Sequence, residues 1–261
     1  MAESAWFQRM VDRTGKPYLS YSSIKYALQD MALFELYMQG KLKKESDALN
    51  FGSAYDCLLF TPHEFDQKFY VFDDREILEE IGGKNPRATL KYREWKADQD
   101  DEVGEKSVLT ADEYQQAIDM ITRLDDSGVL NIYMQGEYQV EFLQTLKIKG
   151  FEEVPVRGFL DVLGDGFIVD SKSTRSIHSF RKDVRFMDYD IQAFLYTTAF
   201  GIKDFYWVAQ EKSYPYLPAV YKASEETLDS GKGKVERALH IIKEYFEQDK
   251  ASNTFYIQGL I

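Results

Sequence analysis

The sequence predicts a mixed α/β fold of the α+β kind, a central mixed β-sheet flanked by helices, with a helical N-terminal portion. Three observations lead there. Helical periodicity and capping residues dominate residues 1–135, strand-type alternation takes over from about Tyr138 and runs to Val169, and the remainder reads helix, strand, strand, helix. That order suits a sheet with helices packed on its faces. The 261 residues are enough for one domain, with the helical part at about 1–135 and the sheet core at about 136–261.

In chain order, Tyr18-Leu19-Ser20-Tyr21-Ser22-Ser23 precedes an amphipathic run over residues 24–39. Ser20 or Ser22 is the N-cap candidate and Gly40 the C-cap candidate. A second helix is expected over about 48–60, stopped before Pro62. Thr61 to Phe65 reads as a turn and another helical start. Residues 73–102 turn polar, with Gly82-Gly83-Lys84-Asn85-Pro86 as a loop. Residues 109–128 read as a helix, with Thr110 and Glu113 at capping-box spacing. After the alternating stretch, His178 to Phe186 leads into an apolar helix over 189–200, ended by Gly201. Phe205-Tyr206-Trp207-Val208-Ala209 and Ala219-Val220-Tyr221 are strand candidates around a turn with Pro215 and Pro218. An amphipathic helix over about 225–248 follows. The chain has no internal repeat or low-complexity stretch.

An apolar content of 44% with 18 Phe and 18 Tyr supports a substantial core. No run approaches the length of a membrane span. The start, Met-Ala-Glu-Ser-Ala-Trp-Phe-Gln-Arg-Met, lacks the basic and apolar regions of a secretory signal, so a cytoplasmic location is expected. The single Cys57 excludes a disulfide or a cysteine-built cluster, iron–sulfur included, within these residues. A net charge of −12 argues against a nonspecific nucleic-acid coat protein. Basic residues do cluster locally, at Lys41, Lys43 and Lys44, at Arg181, Lys182 and Arg185, and at Lys232 and Lys234. Their meaning depends on whether they share a face with the site below. His63, His178 and His240 show no metal-ligand spacing.

The most informative stretch is Arg-Gly-Phe-Leu-Asp-Val-Leu-Gly-Asp-Gly-Phe-Ile-Val-Asp-Ser-Lys, residues 157–172. Two apolar runs joined by Gly164-Asp165-Gly166 form a hairpin that sets Asp161 beside Asp170. Alternation then points Asp170 and Lys172 to one face. Two carboxylates and an ammonium meet the needs of metal-dependent phosphodiester hydrolysis. The carboxylates hold a hard divalent cation, and the lysine orients water or offsets developing charge. A surface hairpin with a solvated ion pair is the alternative.

This segment resembles the hairpin of the PD-(D/E)xK nuclease superfamily, with Asp170-Ser171-Lys172 as its second element and Leu160 standing where that pattern usually has Pro. Gln192 and Tyr196, at i and i+4 some twenty residues on, resemble the Q-x-x-x-Y signature of the RecB-like branch. Phe51-Gly52-Ser53-Ala54-Tyr55-Asp56-Cys57-Leu58-Leu59 resembles a helix of the exodeoxyribonuclease VIII (RecE-type) exonucleases, with Asp56 in place of their His. Leu19 to Ser23, Thr61 to Phe65, and the pair Tyr206 to Lys212 with Pro215 to Tyr221 match further motifs of that family, so the resemblance runs over about 18–248.

The resemblance implies a PD-(D/E)xK, restriction-endonuclease-like core and a Mg²⁺-dependent exodeoxyribonuclease, with Mn²⁺ as substitute. Asp56, Asp161, Asp170 and the Ser171 carbonyl would hold the metal, and a helix-surface role is the alternative for Asp56. Glu141 is the candidate for a glutamate on the strand before the first Asp, with Glu137 competing. Lys172 would position or help deprotonate the attacking water. Gln192 and Tyr196 would hold the substrate strand or the lysine, and Arg157 would contact phosphate. The implied substrate is double-stranded DNA ends, degraded 5′ to 3′ by a ring-shaped homo-oligomer in phage-type recombination. A single-strand annealing protein is the implied partner, in a bacterial or phage-infected cytoplasm. The competing reading is a non-catalytic DNA-end-binding or protein-interaction module that retains the fold.

Overall fold

The computed structural model describes residues 5–42 and 47–248; Lys43 and Lys44 lie outside them. Helix α1 (Ala5–Thr14) was not anticipated by the sequence pattern. The amphipathic run that follows is two helices, α2 (Tyr21–Gln29) and α3 (Met31–Met38), rather than one. Asp30 causes the break. Its backbone is extended, and its carboxylate accepts from Ala32 N–H at 2.6 Å, opening a second N-terminus. Ser20 caps α2 in a capping box with Ser23. Next come α4 (Asp47–Phe60), a 3₁₀ turn at Pro62–Glu64, α5 (Phe65–Lys68), β1 (Phe69–Phe72), α6 (Arg75–Ile81) and a second turn at Pro86–Ala88. α7 (Leu90–Val103), β2 (Ser107–Thr110), α8 (Ala111–Asp126) and α9 (Val129–Tyr133) complete the helical part. Strands β1 and β2 form a small parallel pair. Residues 109 and 110 thus end a strand, and the helix starts at Ala111 behind the expected Thr110–Glu113 capping box.

The core sheet holds β3 (Glu137–Ile148), β4 (Phe151–Leu163), β5 (Phe167–Thr174), β6 (Asp204–Glu211) and β7 (Pro218–Lys222), in that spatial order. It is mixed, antiparallel except for the parallel β5–β6 pair. That parallel step requires a crossover, supplied by α10 (Phe180–Phe186) and α11 (Tyr189–Phe200). α12 (Glu225–Glu247) packs over α11. The larger core lies on this side, where α1, α2, α11 and α12 bury Phe34, Ile168, Ile191, Phe205, Leu239 and Phe246. On the other side Phe60 and Leu124 pack against Val162, Val169 and Val208. The architecture is the mixed sheet flanked by helices that the sequence predicts.

One polar lock fixes α11, the helix that faces the site. Asp188, just before it, has φ +61°, a conformation Asp tolerates better than most residues. Lys234 of α12 reaches Asp188 at 2.8 Å and the fully buried Asp190 at 2.9 Å. Ser230 donates to the other Asp190 oxygen at 2.7 Å. Burial lowers the Lys234 pKa, but its hydrogen bonds to Asp188 and Asp190 outweigh that and raise it. Lys234 therefore has a structural role.

Candidate active site

β4 and β5 leave their turn as a hairpin, but only Val162–Val169 and Leu163–Ile168 are in register. Beyond these pairs the strands part, and Asp161 and Asp170 sit at the parting. The Asp161 carboxylate fills the gap, accepting from the Ser171 backbone N–H at 2.8 Å, a donor that would otherwise lack a partner on that side. Gln139 Nε2 donates to its other oxygen at 3.2 Å. Asp170 is buried, with Lys172 Nζ 2.6 Å from Oδ2 and Gln192 Nε2 donating to Oδ1 at 2.6 Å. Lys172 also donates to the Ser171 carbonyl at 3.2 Å, and its ammonium lies 5.2 Å from the Tyr189 ring centre. The single turn from Gln192 to Tyr196 puts both on the site side of α11. The Tyr196 ring packs edge-on against Phe142, 5.2 Å between centres. Gly158 leaves room for both, since a Cβ there would come within 2.8 Å of either ring.

The electrostatics bring in α4. The Asp56 carboxyl is pushed well up, first by burial and then by the charge of Asp161, with Lys172 opposing and Asp170 adding. Asp161 is raised to about 6, by burial and then by Asp170. Burial works against the Lys172 ammonium, but Asp170 and Asp161 overcome it and the net direction is up. Three carboxylates thus share one poorly solvated space with a single cation. Lys172 is held as an ammonium here, suited to orienting and stabilising rather than to accepting a proton.

Sequence reasoning therefore brings Asp56, Asp161, Asp170, Ser171, Lys172, Gln192 and Tyr196 into one place. Glu141 and Glu137 are not among them. Glu141 stands opposite Phe159, exposed, and accepts from Arg157 Nε at 2.6 Å; Glu137 is exposed at the strand's start. The β3 side chain on Asp161 is Gln139, which no spacing in the sequence singled out. Tyr189 and Tyr21 were also missed. Tyr189 lies three residues before Gln192 on the same helix, a spacing that could have found it. Tyr21 donates to the Met187 carbonyl at 2.7 Å. Its hydroxyl pKa is raised by burial, with Lys172 the largest opposing charge. Arg157 stacks 5.3 Å from both the Tyr18 and Phe159 ring centres. It lines a cleft of about 410 Å³ whose wall includes Tyr21 and Tyr196, beside the carboxylates.

These residues fit a hard divalent cation in kind: the donors are oxygens, negative charge is in excess, and buried Asp170 Oδ2 has no hydrogen-bond donor beyond its ion pair with Lys172. They do not form a closed cage. Among the described residues no three His, Cys, Asp or Glu side chains converge closely enough to hold a metal ion.

The family described as "PDDEXK-like domain of unknown function (DUF3799)" matches residues 20–254. The chain belongs to this family. Asp161, Asp170 and Lys172 all lie within the matched residues. Among solved structures it is similar to a candidate exonuclease from Eubacterium rectale, with a TM-score of 0.64 at 17% identity, covering 100% of this chain and 96% of that one. At that identity the likeness is one of fold. A phage-related exonuclease from Haemophilus somnus 129PT gives a TM-score of 0.32 at 13% identity, covering 66% of this chain and 94% of that one. An alkaline exonuclease from Laribacter hongkongensis gives 0.30 at 11%, covering 66% and 87%. A search of curated proteins found no match. Among the described residues no helix is long and apolar enough to cross a membrane.

Proposed function

We propose that this PDDEXK-like protein is a divalent-metal-dependent nuclease that hydrolyses phosphodiester bonds, specifically a processive 5′-to-3′ exonuclease on double-stranded DNA ends. The observation that carries the reading is the convergence of Asp161, Asp170 and Lys172 at the parting of β4 and β5, with Gln192 bonded to Asp170. Asp161, Asp170, the Ser171 carbonyl and Asp56 would hold Mg²⁺ or Mn²⁺, which when bound supplies a Lewis acid for the phosphoryl group and lowers the pKa of water. Lys172 keeps its proton between Asp170 and Asp161. It therefore orients the attacking water by donating to it and offsets charge on the phosphorane-like transition state. Gln192 holds Asp170 in register, and Tyr196 with the Arg157-lined cleft offers a wall against which the substrate strand lies. The resemblance in sequence motifs further supports a recombination role, a homo-oligomeric ring and a single-strand annealing partner.

The test is release of acid-soluble nucleotides from linear and closed-circular duplex DNA, with Mg²⁺ or EDTA, for wild type and Lys172→Ala. Loss of linear DNA alone, abolished by EDTA and by the substitution, is expected. Folded wild type inert on both substrates would overturn the reading. The absence of a closed three-ligand cage among the described residues favours one second reading, a non-catalytic DNA-end or protein-binding module. The second reading expects no Mn²⁺-induced thermal shift, or one that survives Asp170→Ala.

A further inference from the structure

Outside the carboxylate site, a cleft of about 650 Å³ opens between α10, the β6–β7 edge and the start of α12. Four cations line it, Arg181, Lys182 and Arg185 of α10 and Lys222 of β7, against one carboxylate, Glu226. Glu226 is taken by Arg185 at 2.5 Å, and Lys222 pairs with Asp204 at 2.8 Å. Arg181 and Lys182 are exposed and make no ion pair among the described residues. In a chain of net charge −12 this is a concentrated positive surface. The wall carries rings as well. Tyr221 stacks on Phe180 with 5.2 Å between centres, and buried Trp207 has an indole N–H with no acceptor. On α10, residues 181, 185, 182 and 186 fall on one continuous arc. Phe186, at its end, is 83% exposed.

We propose that this cleft binds the phosphodiester backbone of a single nucleic-acid strand, as a second hold outside the hydrolytic site. Arg181 and Arg185 are one helical turn apart, about 6 Å along the axis, on the order of the separation between neighbouring phosphates on a strand. Basic residues interleaved with an exposed ring suit a strand whose bases are unstacked. α10 directly follows β5, the strand bearing Asp170 and Lys172, and its last turn leads to Met187, whose carbonyl is bonded by Tyr21. The proposal rests on the nuclease reading only for the identity of the polymer.

The experiment is fluorescence anisotropy of a labelled 12-nucleotide single strand in EDTA, where no hydrolysis occurs, titrated from about 50 to 200 mM KCl. The proteins are wild type, Arg181→Ala/Lys182→Ala/Arg185→Ala, and the milder Arg181→Ala/Lys182→Ala, whose unpaired surface residues make unfolding no explanation. Wild type should bind with a steep salt dependence. The triple variant should bind at least tenfold more weakly, with a log–log slope smaller by about two, and the double variant should fall between. Binding by the triple variant equal to wild type, or no binding by wild type, overturns the proposal. Binding that needs α10 in a protein that hydrolyses no DNA would uphold the cleft and sink the nuclease reading alone.

Discussion

Asp161→Asn is expected to make the metal-free protein more stable at neutral pH while abolishing its activity. The Asp161 carboxyl is raised from 3.8 to about 6 by burial and then by the neighbouring charge of Asp170. The folded state therefore binds this proton more tightly than the unfolded chain does. The stability it contributes is fully present below about pH 3.8 and is lost as pH rises through about 6. The gap corresponds to about 3 kcal/mol at neutral pH. Asparagine keeps an acceptor for the Ser171 N–H but gives up the charge-assisted strength of that bond, and residual solvent screens part of the repulsion. A net gain of about 1–2 kcal/mol remains. For a chain of this length that raises Tm by about 3–6 °C. The assay is thermal unfolding in EDTA at pH 7.5 and pH 4.5, and the part of the difference that comes from ionisation should shrink to about a third at the lower pH. An asparagine variant less stable than wild type at pH 7.5, or a difference that ignores pH, would refute the idea that Asp161 sits in a buried carboxylate cluster.

Lys172→Ala should act in the opposite direction on stability, since it leaves Asp170 buried without its cation. About 3 kcal/mol should be lost in urea denaturation, and nucleotide release should fall by about 10²–10³-fold. Gln192→Ala strips the donor from Asp170 Oδ1 and should cost about 1.5–3 kcal/mol by the same denaturation measurement. Two glycines of α12 give a matched pair. A Cβ at Gly231 would stand 2.0 Å from the Asp190 carbonyl oxygen, whereas Gly233 has open space. Gly231→Ala should lower stability by about 2–3 kcal/mol, and Gly233→Ala should raise it by about 0.5–1 kcal/mol; equal effects would contradict the close packing of α12 on α11.

Much of this site was legible because its signals are local. The hairpin shows as alternation around Gly164-Asp165-Gly166, and the i, i+4 spacing of Gln192 and Tyr196 puts them on one helix face wherever that helix docks. The β6–β7 pair was legible from apolar runs bracketing prolines. What stayed hidden depended on tertiary context. α7 is polar nearly all round, so residues 90–103 carry no helical stripe to read. β1 and β2 are four residues each and pair across more than thirty. Asp30 looks like any polar residue of a helix until its carboxylate is seen capping α3. Gln139 meets Asp161 only through the β3–β4 register, and a motif on the same strand pointed instead to Glu141, whose carboxylate is spent on Arg157.

Asp56, standing where the resembling motif has a histidine, changes the physics of the space it lies in. A histidine there could remain neutral and offer a nitrogen. Aspartate adds a third carboxylate to a space with one ammonium, and its own carboxyl is pushed up by burial and then by the charge of Asp161. The other two carboxylates are held by donors of this chain, Asp161 by the Ser171 N–H and Asp170 by Gln192 and Lys172. With an oxygen where a histidine would offer a nitrogen, the donor set proposed above favours hard divalent ions over softer ones.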